Sequence, residues 1–415
     1  MIGIITLYYN NYNIGGLLQA YALQKTLEDN GIESEQLSVW HYKKEPVSFS
    51  KKLISKAIRM IKNPAAEIKA TKHNQEMEWR KNVISADIEK RQKHMRDFMQ
   101  EIPHSSQIYT PDNIKESLKD YSGYIVGSDQ VWNDDYIDKN NMMINMLQFV
   151  PDEYPKISYA ASIGKNSGFK DWFVEMLGGL KDFDSVSVRE KSAADIIKKY
   201  TGIDSQVVLD PTLMLTDEDW KALVHKEDNK SEKTPYIFTY FLGQDKANRE
   251  FAEELSRKTS MKIINFAHAI NYFRDEDKEF ADEAVMDYSP KDFIDYIAGA
   301  SVVITDSFHA TVFSLIFHRP FYTLTRQSAD GIKSMNSRVV DLLNTYGLSD
   351  RLINAQGQVF DGNVNDIDFN IFDNMINEQR KKSITFIKDS LLNHKGGNKE
   401  IQYDAVSADL YMKTL

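Results

Sequence analysis

The chain has 415 residues and a net charge of -10, which argues against a general nucleic-acid-binding protein, because such proteins bind phosphates through many lysines and arginines. It contains no cysteine, which excludes disulfides and thiolate metal sites. Its first residues lack a basic leader and no run of about 18 apolar residues occurs, so we expect a cytoplasmic protein without a membrane-spanning helix.

The chain opens with the pattern strand, glycine loop, helix. Residues 1–7 are apolar and β-branched, which predicts a buried strand. After a polar loop, Leu17 begins a helical apolar stripe that ends at Gly31. Gly15 and Gly16 precede this helix, where free backbone N–H groups can bind an anion or a sugar hydroxyl; a tight turn would need the same glycines.

A lysine-rich segment at about 45–120 interrupts this pattern and predicts a helical insertion in the first domain. We expect two helices there, separated near Asn63 and Pro64. In the first of them, residues 51–62 have one apolar face and basic side chains on the others. Such a helix can lie on the anionic inner face of a membrane, or it can pack on its own domain.

The next strand-like run, 123–133, ends in a polar cluster. Asp129, Gln130, Trp132 and Asn133 lie at its end. An aromatic face can cover the C–H groups of a sugar while amides and a carboxylate bind its hydroxyls, so the cluster is a candidate acceptor site. Asp129 is also a candidate general base. The alternative is a capped turn that contains a core tryptophan.

Two further strand-like runs carry charged residues at or after their ends. Arg189 lies at the carboxyl end of the run 185–190, next to Glu190. Its guanidinium group can bind a carboxylate or phosphate of a ligand, or it can form a structural pair with Glu190. The run 206–215 contains Asp210 followed by proline, which we interpret as a turn. Since strands alternate with helices throughout, we predict a mainly parallel sheet.

The polar stretch 216–234 predicts a linker, after which a second α/β set begins. We therefore assign an N-terminal α/β domain to 1–215, a C-terminal α/β domain to 235–395 and a loosely held tail to 396–415. The predicted fold class is α/β, with two Rossmann-like domains that face a cleft. Ligands of open α/β sheets bind beyond the carboxyl ends of the strands, so we expect the site in that cleft.

The run ITDSFHATVFSLIFHRPF, at 304–321, is a strand-to-helix junction in the second domain. His309 lies in the first helical turn, where the helix dipole disfavours its protonated form, and either Asp306 or Ser307 can cap this helix. The polar residues around it make His309 a candidate catalytic residue; a satisfied, semi-buried histidine is the alternative. Arg338, at the start of a later helix, can bind an anion across the cleft or pair with Asp341.

Six segments of the chain, taken in order, resemble the polysaccharide pyruvyl transferase family. They are IGGLLQAYALQ, YIVGSDQVWN, SYAASIG, SVRE, VVLDPTLML and ITDSFHATVFSLIFHRPF. The resemblance covers residues 1 to about 345 and implies a glycosyltransferase-B-like fold. It implies transfer of a pyruvyl group from phosphoenolpyruvate to two hydroxyls of a sugar, as a ketal, in surface polysaccharide synthesis. No metal or redox cofactor is implied.

The resemblance also implies roles for single residues. Arg189 and His309 match donor-binding positions of the family, and His309 would hold the phosphate or donate a proton. One position departs from the pattern, because Ser307 stands where better-known members have arginine. The cation for the phosphate must then come from elsewhere, and Arg338 is our candidate. The acceptor would be a glycan or a sugar linked to a lipid or nucleotide.

Two other functions fit the same residues. A nucleotide-sugar-dependent glycosyltransferase of similar fold would use the glycine loop and would not need the arginine that Ser307 replaces. A non-catalytic glycan-binding subunit would use the polar clusters without turnover of any donor. The identity of the donor that binds distinguishes a pyruvyl transferase from a glycosyltransferase. Turnover of a donor distinguishes both enzymes from a glycan-binding subunit.

Overall fold

A computed structural model gives the fold of the protein. It describes residues 1–41, 60, 63–224, 234–268, 274–277, 279–326, 336–356 and 367–394. The predicted membrane-contact helix 51–62, apart from Met60, and the predicted tail 396–415 lie outside these ranges. Both interpretations therefore stay predictions.

The first domain is built on a parallel sheet. Its described strands are β1 (Ile2–Ile5), β2 (Ser34–Val39), β3 (His104–Tyr109), β4 (Gly123–Val126) and β5 (Lys156–Ser158). Their spatial order is β3-β2-β1-β4-β5. A short parallel pair, β6 (Ser187–Val188) and β7 (Gln206–Val207), continues the sheet beyond β5 through backbone bridges.

The second domain has its own parallel sheet. Its described strands are β8 (Tyr236–Tyr240), β9 (Lys262–Phe266), β10 (Glu283–Val285), β11 (Val302–Thr305), β12 (Phe321–Leu324) and β13 (Leu352–Ile353). Their spatial order is β10-β9-β8-β11-β12-β13. The strand order reverses between β1 and β4 and between β8 and β11, so each sheet has a crevice at the carboxyl ends of these strands.

Helices surround the two sheets. The described ones are α1 (Ile14–Asp29), α2 (Pro64–Val83), α3 (Ser85–Gln100), α4 (Lys139–Asn145), α5 (Asp171–Leu177), α6 (Lys191–Thr201), α7 (Pro211–Met214), α8 (Asp217–Leu223), α9 (Lys246–Thr259), α10 (Pro290–Gly299), α11 (Phe308–Ile316), α12 (Ser337–Thr345) and α13 (Asn370–Leu392). Several begin at a polar cap whose side chain accepts a first-turn N–H, as Asn13, Thr216, Ser289 and Ser307 do.

Three boundaries differ from the sequence-based prediction. The described part of the insertion consists of α2 and α3, because β3 already belongs to the sheet. The first half of the predicted linker is the capped helix α8, which buries Trp220, and its second half, 225–233, lies outside the described residues. The run 206–215 is not one strand, because Asp210 accepts the N–H of Thr212 and starts α7.

One hydrophobic core extends across both domains. It contains Leu17 and Leu18 of α1 together with Phe313 of α11. The ring of Trp220 lies 4.9 Å from the ring of Phe313 and joins the two sets. Large buried aromatic side chains contribute much of the packing energy of such a junction, so this core holds the domains around the cleft.

Helix α13 returns the chain to the first domain. Phe372 and Ile376, near its start, pack in the shared core. Ile387 and Leu391, near its end, pack with Ile2 in the core of the first sheet. The end of α13 therefore packs with the N-terminal domain, although the predicted C-terminal domain, 235–395, included it.

The architecture confirms the predicted fold class. Two parallel α/β domains with Rossmann-like strand order face a cleft, and a helical insertion interrupts the first of them. Within the described ranges, every helix is too short or too polar to cross a bilayer.

Candidate active site

A cavity of about 400 Å³, here called the cleft cavity, lies between the two domains at the carboxyl ends of their strands. The first domain contributes the start of α1 and the loop after β4. The second contributes the start of α11 and the loops after β8, β9 and β12. Six predicted site residues line it: Gly15, Asp129, Gln130, Ser307, His309 and Arg338. The volume suits a small ligand, for which pockets of about 300 to 1,000 Å³ are usual.

His309 lies in the first turn of α11, and its ring packs against the first turn of α1. A β-carbon on Gly15 would lie 2.0 Å from Nδ1 of His309, so only glycine leaves room for the ring. Nε2 of His309 is buried without a hydrogen-bond partner among the described residues, and it lies 4.0 Å from Oδ2 of Asp210. A structural histidine would use this nitrogen, so the unpaired Nε2 favours a functional role.

The charge state of His309 follows from its surroundings. Burial lowers the pKa of His309, and the guanidinium groups of Arg189 and Arg338 lower it further, while Asp210 opposes the shift. The ring is therefore neutral at pH 7 in the free protein. An anion bound beside these guanidinium groups would raise the pKa again, which couples ligand binding to proton uptake at His309.

Arg189 is buried and pairs with carboxylates on several sides. Its Nη1 donates to Asp210 at 2.7 Å, its Nη2 donates to Asp129 at 3.2 Å, and its Nε lies 3.5 Å from Glu190. Burial opposes its charge, but these carboxylates together raise the pKa of Arg189. Arg189 does not line the cleft cavity, and these pairs place it to orient the carboxylates around it; its donor-binding role stays a prediction.

In the described part of the chain, three arginines line the cleft cavity: Arg274, Arg326 and Arg338. The Nε atoms of Arg326 and Arg338 have no hydrogen-bond partner among the described residues. Arg274 donates to the backbone carbonyls of residues 241–243, which orients it without neutralising it. The one carboxylate among the lining residues is Asp129, so the guanidinium groups outnumber it three to one. The cavity is therefore positive and suits an anionic ligand.

Arg338 is buried, with 5% of its surface exposed. Burial and the nearby Arg189 and Arg326 lower the pKa of Arg338 to about 10, so it remains charged at pH 7. Asp341, its predicted alternative partner, accepts the backbone N–H of Ser192 instead. The guanidinium lies over the ring of Phe308 at 5.7 Å and faces the cavity.

The family model for polysaccharide pyruvyl transferase matches residues 13–328 of the chain. The chain belongs to the polysaccharide pyruvyl transferase family. It is therefore a transferase, and the matched range holds every predicted site residue except Arg338. A search of curated protein sequences gave no significant match.

Solved structures of sugar-modifying enzymes are similar to this pyruvyl transferase family member. UDP-GlcNAc 2-epimerase from Methanocaldococcus jannaschii is 11% identical over 100% of this chain and 98% of that chain, with a TM-score of 0.48. A putative UDP-N-acetylglucosamine 2-epimerase from Listeria monocytogenes is 12% identical over 97% and 99%, with a TM-score of 0.45. The E. coli ADP-heptose lps heptosyltransferase II is 10% identical over 92% and 99%, with a TM-score of 0.36.

The predicted acceptor cluster divides into one cavity residue and two structural ones. Gln130 lines the cleft cavity. Trp132 is fully buried in the core and donates through Nε1 to the carbonyl of Asn145, so it offers no ring face to a sugar. Asn133 is buried and holds the turn, since it donates to Gln130 and accepts the N–H of Asp135. For Trp132 and Asn133, the structure therefore agrees with the alternative interpretation, a capped turn that contains a core tryptophan.

The two glycines of α1, Gly15 and Gly16, have different surroundings. They lie inside its first turn and not in a preceding loop. Gly15 lines the cleft cavity beside His309, whereas Gly16 does not, and the N–H of Gly16 is already used by the cap Asn13. Gly16 is needed because a β-carbon there would lie 2.8 Å from the carbonyl oxygen of Leu7. Gly16 therefore has a structural reason to be glycine, and its donor-binding role stays a prediction.

Sequence reasoning missed several cavity residues. Arg326 and His268 each follow a strand of the second sheet by two residues, one residue closer to the strand end than Asp129 lies to β4. Arg274 lies in an irregular charged loop that carries no such signal. Tyr136 lines the cavity with 52% of its surface exposed, so an aromatic side chain does lie at the mouth, although not the predicted one.

Asp210 was noticed in the sequence but was interpreted only as part of a turn, so its place in the site was missed. It does start α7, but its second oxygen faces Arg189 and His309. Burial alone would raise the pKa of Asp210, yet Arg189 and His309 hold it below the usual value. The carboxylate therefore stays charged beside the imidazole and favours its protonation when a ligand arrives.

Replacing Gly15 by alanine should displace the His309 ring, because the new β-carbon would lie 2.0 Å from Nδ1. We expect kcat to fall at least about tenfold, since a shift of roughly 1 Å at a reacting group can cost about a hundredfold. Steady-state kinetics and circular dichroism measure the loss and check the fold. Gly178→Ala is the matched control, because a β-carbon at Gly178 meets no atom within 4 Å. Full activity of Gly15→Ala would contradict the assigned position of His309.

His268 should make the protein sensitive to acid. Burial and the guanidinium groups of Arg274, Arg91 and Arg326 lower the pKa of His268 to about 3. The unfolded value is about 6.5, so the unfolded chain binds more protons, and stability falls as pH drops below about 6.5.

For this histidine, the free energy of unfolding should fall by up to about 2 kcal/mol between pH 7 and pH 5, less where water screens the partly exposed ring. Urea unfolding of wild type and His268→Gln at both pH values measures this difference. The variant should lose less stability than wild type. The same replacement at the exposed His318 serves as control. Equal losses in both variants would contradict the role of His268.

Proposed function

We propose that this transferase moves a pyruvyl group from phosphoenolpyruvate to two hydroxyls of a sugar and forms a ketal. The family assignment supplies the reaction class. The observation that supports the donor is the positive cleft cavity beside a neutral histidine, in which the Nε atoms of Arg326 and Arg338 are unpaired among the described residues.

The donor carries a phosphate and a carboxylate, which need cations in a site shielded from water. Arg338 lies close to His309, since the side chains of both residues contact the ring of Phe308. Arg326 and Arg274 supply the other positive groups of the cavity. Together they provide the charge that Ser307 does not, so the serine is compatible with an anionic donor. Ser307 itself caps α11.

His309 would act as the proton donor. When the anionic donor binds at the arginines, it reduces their positive field and raises the pKa of His309, which then takes up a proton. The imidazolium gives this proton to the methylene carbon of the enol phosphate. A sugar hydroxyl attacks the neighbouring carbon, and Asp129, oriented by Arg189, accepts the hydroxyl proton.

Ketal formation then needs the loss of phosphate. The carbon–oxygen bond to phosphate breaks, the arginines stabilise the leaving group, and the second sugar hydroxyl closes the ring as its proton passes to the departing phosphate. Asp129 then returns its proton to the solvent, which offsets the proton that His309 took up. One phosphoenolpyruvate and two hydroxyls give one ketal and one inorganic phosphate, so atoms and protons balance. Gln130 and Tyr136, at the cavity wall and mouth, are the proposed acceptor contacts.

A calorimetric donor panel tests the proposal. Phosphoenolpyruvate should bind to the free protein with net proton uptake at His309, and this uptake should disappear in His309→Gln. 3-Phosphoglycerate, with the same charged groups on a saturated carbon chain, and UDP serve as comparison ligands. Tight binding of UDP without binding of phosphoenolpyruvate would instead support a nucleotide-sugar-dependent glycosyltransferase. Binding of glycan without either donor would support a glycan-binding subunit.

A further inference from the structure

A second cavity, of about 410 Å³, lies on the other side of Phe308 and Arg338 from the cleft cavity. These two residues line both cavities, whereas Ser307 and His309 line the cleft cavity only. The second cavity is bounded by β7, α7, α12 and α13. Its volume is close to that of the cleft cavity, so it also has room for a small ligand.

The walls of the second cavity are largely apolar. Val208, Leu209, Leu213, Leu342 and Tyr346 provide most of the apolar side chains. A ligand that fills this space would gain from burying an apolar body, at roughly 25 cal/mol per Å² of surface removed from water.

The polar groups of the second cavity favour negative charge in the ligand. The carboxylate of Asp341 already accepts the N–H of Ser192, and that of Asp210 accepts from Arg189. Lys191 and Lys382 stand at the rim, each paired only with an exposed acid one helical turn away. Such exposed pairs contribute little, so both ammonium groups remain available to an anion.

Within the described ranges, two buried arginines, Arg189 and Arg338, line this space, and Arg189 is already paired with three carboxylates, so Arg338 is the cation considered for a ligand. Its Nε has no hydrogen-bond partner among the described residues, and burial and the like-charged Arg189 and Arg326 lower its pKa more than the carboxylates of Asp129 and Glu190 raise it. A buried guanidinium in this position is costly unless an anion pairs with it. Since Arg338 lines both cavities, that anion can arrive from either side.

We propose that the second cavity binds a small amphipathic anion, with its head group on Arg338 and its apolar body between α7 and α12. One consequence rests on the proposed function. An anion in the second cavity would engage the same guanidinium that holds the donor, so its binding would weaken donor binding. The cavity would then regulate the transferase by competition for one shared side chain.

Titration calorimetry with octyl phosphate, below its micelle concentration, tests the site without donor or acceptor. We expect one site per chain for octyl phosphate and at least about tenfold weaker binding of both inorganic phosphate, which lacks the apolar body, and octanol, which lacks the anion. Leu342→Phe and Thr345→Trp fill the cavity from two positions and should each weaken octyl phosphate binding at least about tenfold. Arg338→Gln should do the same.

Arg326→Gln is the matched control, because Arg326 lines the cleft cavity only and should keep octyl phosphate binding. Unchanged affinity in both filled variants, or equal affinity for inorganic phosphate, would overturn the site. If octyl phosphate binds but leaves phosphoenolpyruvate binding unchanged, the competition through Arg338 is overturned. Failure of phosphoenolpyruvate to bind at all would contradict the proposed function and leave the octyl phosphate result to decide the second cavity.

Discussion

Replacement of His309 by glutamine should lower kcat by about 10² to 10⁴, the usual contribution of a positioned proton donor. Glutamine approximates the volume of the ring and cannot carry the proton to the enol carbon. Because the Nε2 atom has no partner among the described residues, the loss of the ring should leave the fold intact. Steady-state kinetics with phosphoenolpyruvate and thermal unfolding separate the two effects, and KM should change less than kcat.

The same substitution at His318 is the control for this prediction. His318 lies at the surface, where it contacts Asp373 at 2.9 Å, and glutamine there should leave kcat unchanged. A His309→Gln protein that keeps a rate within a few-fold of wild type would show that His309 does not transfer the proton.

Arg338→Gln and Arg326→Gln should weaken donor binding more than they slow the bound complex. A hydrogen bond to a charged group contributes about 1.5 to 3 kcal/mol, which corresponds to roughly a 10- to 150-fold rise in donor KM for each variant. Arg338→Lys should recover part of the loss, since it restores the charge but not the planar guanidinium. Initial rates over a range of phosphoenolpyruvate concentrations give both constants.

Arg257→Gln is the control for the arginine variants, because Arg257 is exposed in the last turn of α9. Its donor KM should equal that of wild type. Wild-type KM values in both cleft variants would place the donor elsewhere and would remove the main support for an anionic donor in the cleft cavity.

Much of the fold and part of the site could be predicted because their signals are local. Alternating strands and helices predicted two parallel sheets, and both are present in the described residues. Polar residues at strand ends predicted Asp129 and His309, because parallel strands bring their carboxyl ends to one edge. Gly15 was predicted as a donor site, whereas its closest neighbour is the His309 ring, which comes from the other domain.

The remaining features depend on contacts between distant segments. Arg189 is balanced by carboxylates at positions 129, 190 and 210, which only the folded sheet brings together. Trp132 can lie in the core because its ring N–H donates a hydrogen bond to the backbone carbonyl of Asn145. Neither contact has a fixed sequence spacing, so composition and periodicity could not distinguish a ligand-binding arginine or tryptophan from a structural one.

The central claim is pyruvyl transfer from phosphoenolpyruvate at the cleft cavity. Its most direct test is incubation of the protein with carbon-labelled phosphoenolpyruvate and a panel of glycans and lipid- or nucleotide-linked sugars. Phosphate release and product mass are then measured together. We predict equal amounts of released phosphate and labelled ketal with one acceptor class, and neither product with His309→Gln. Sugar transfer from a nucleotide sugar, with no label incorporated from phosphoenolpyruvate, would contradict this claim.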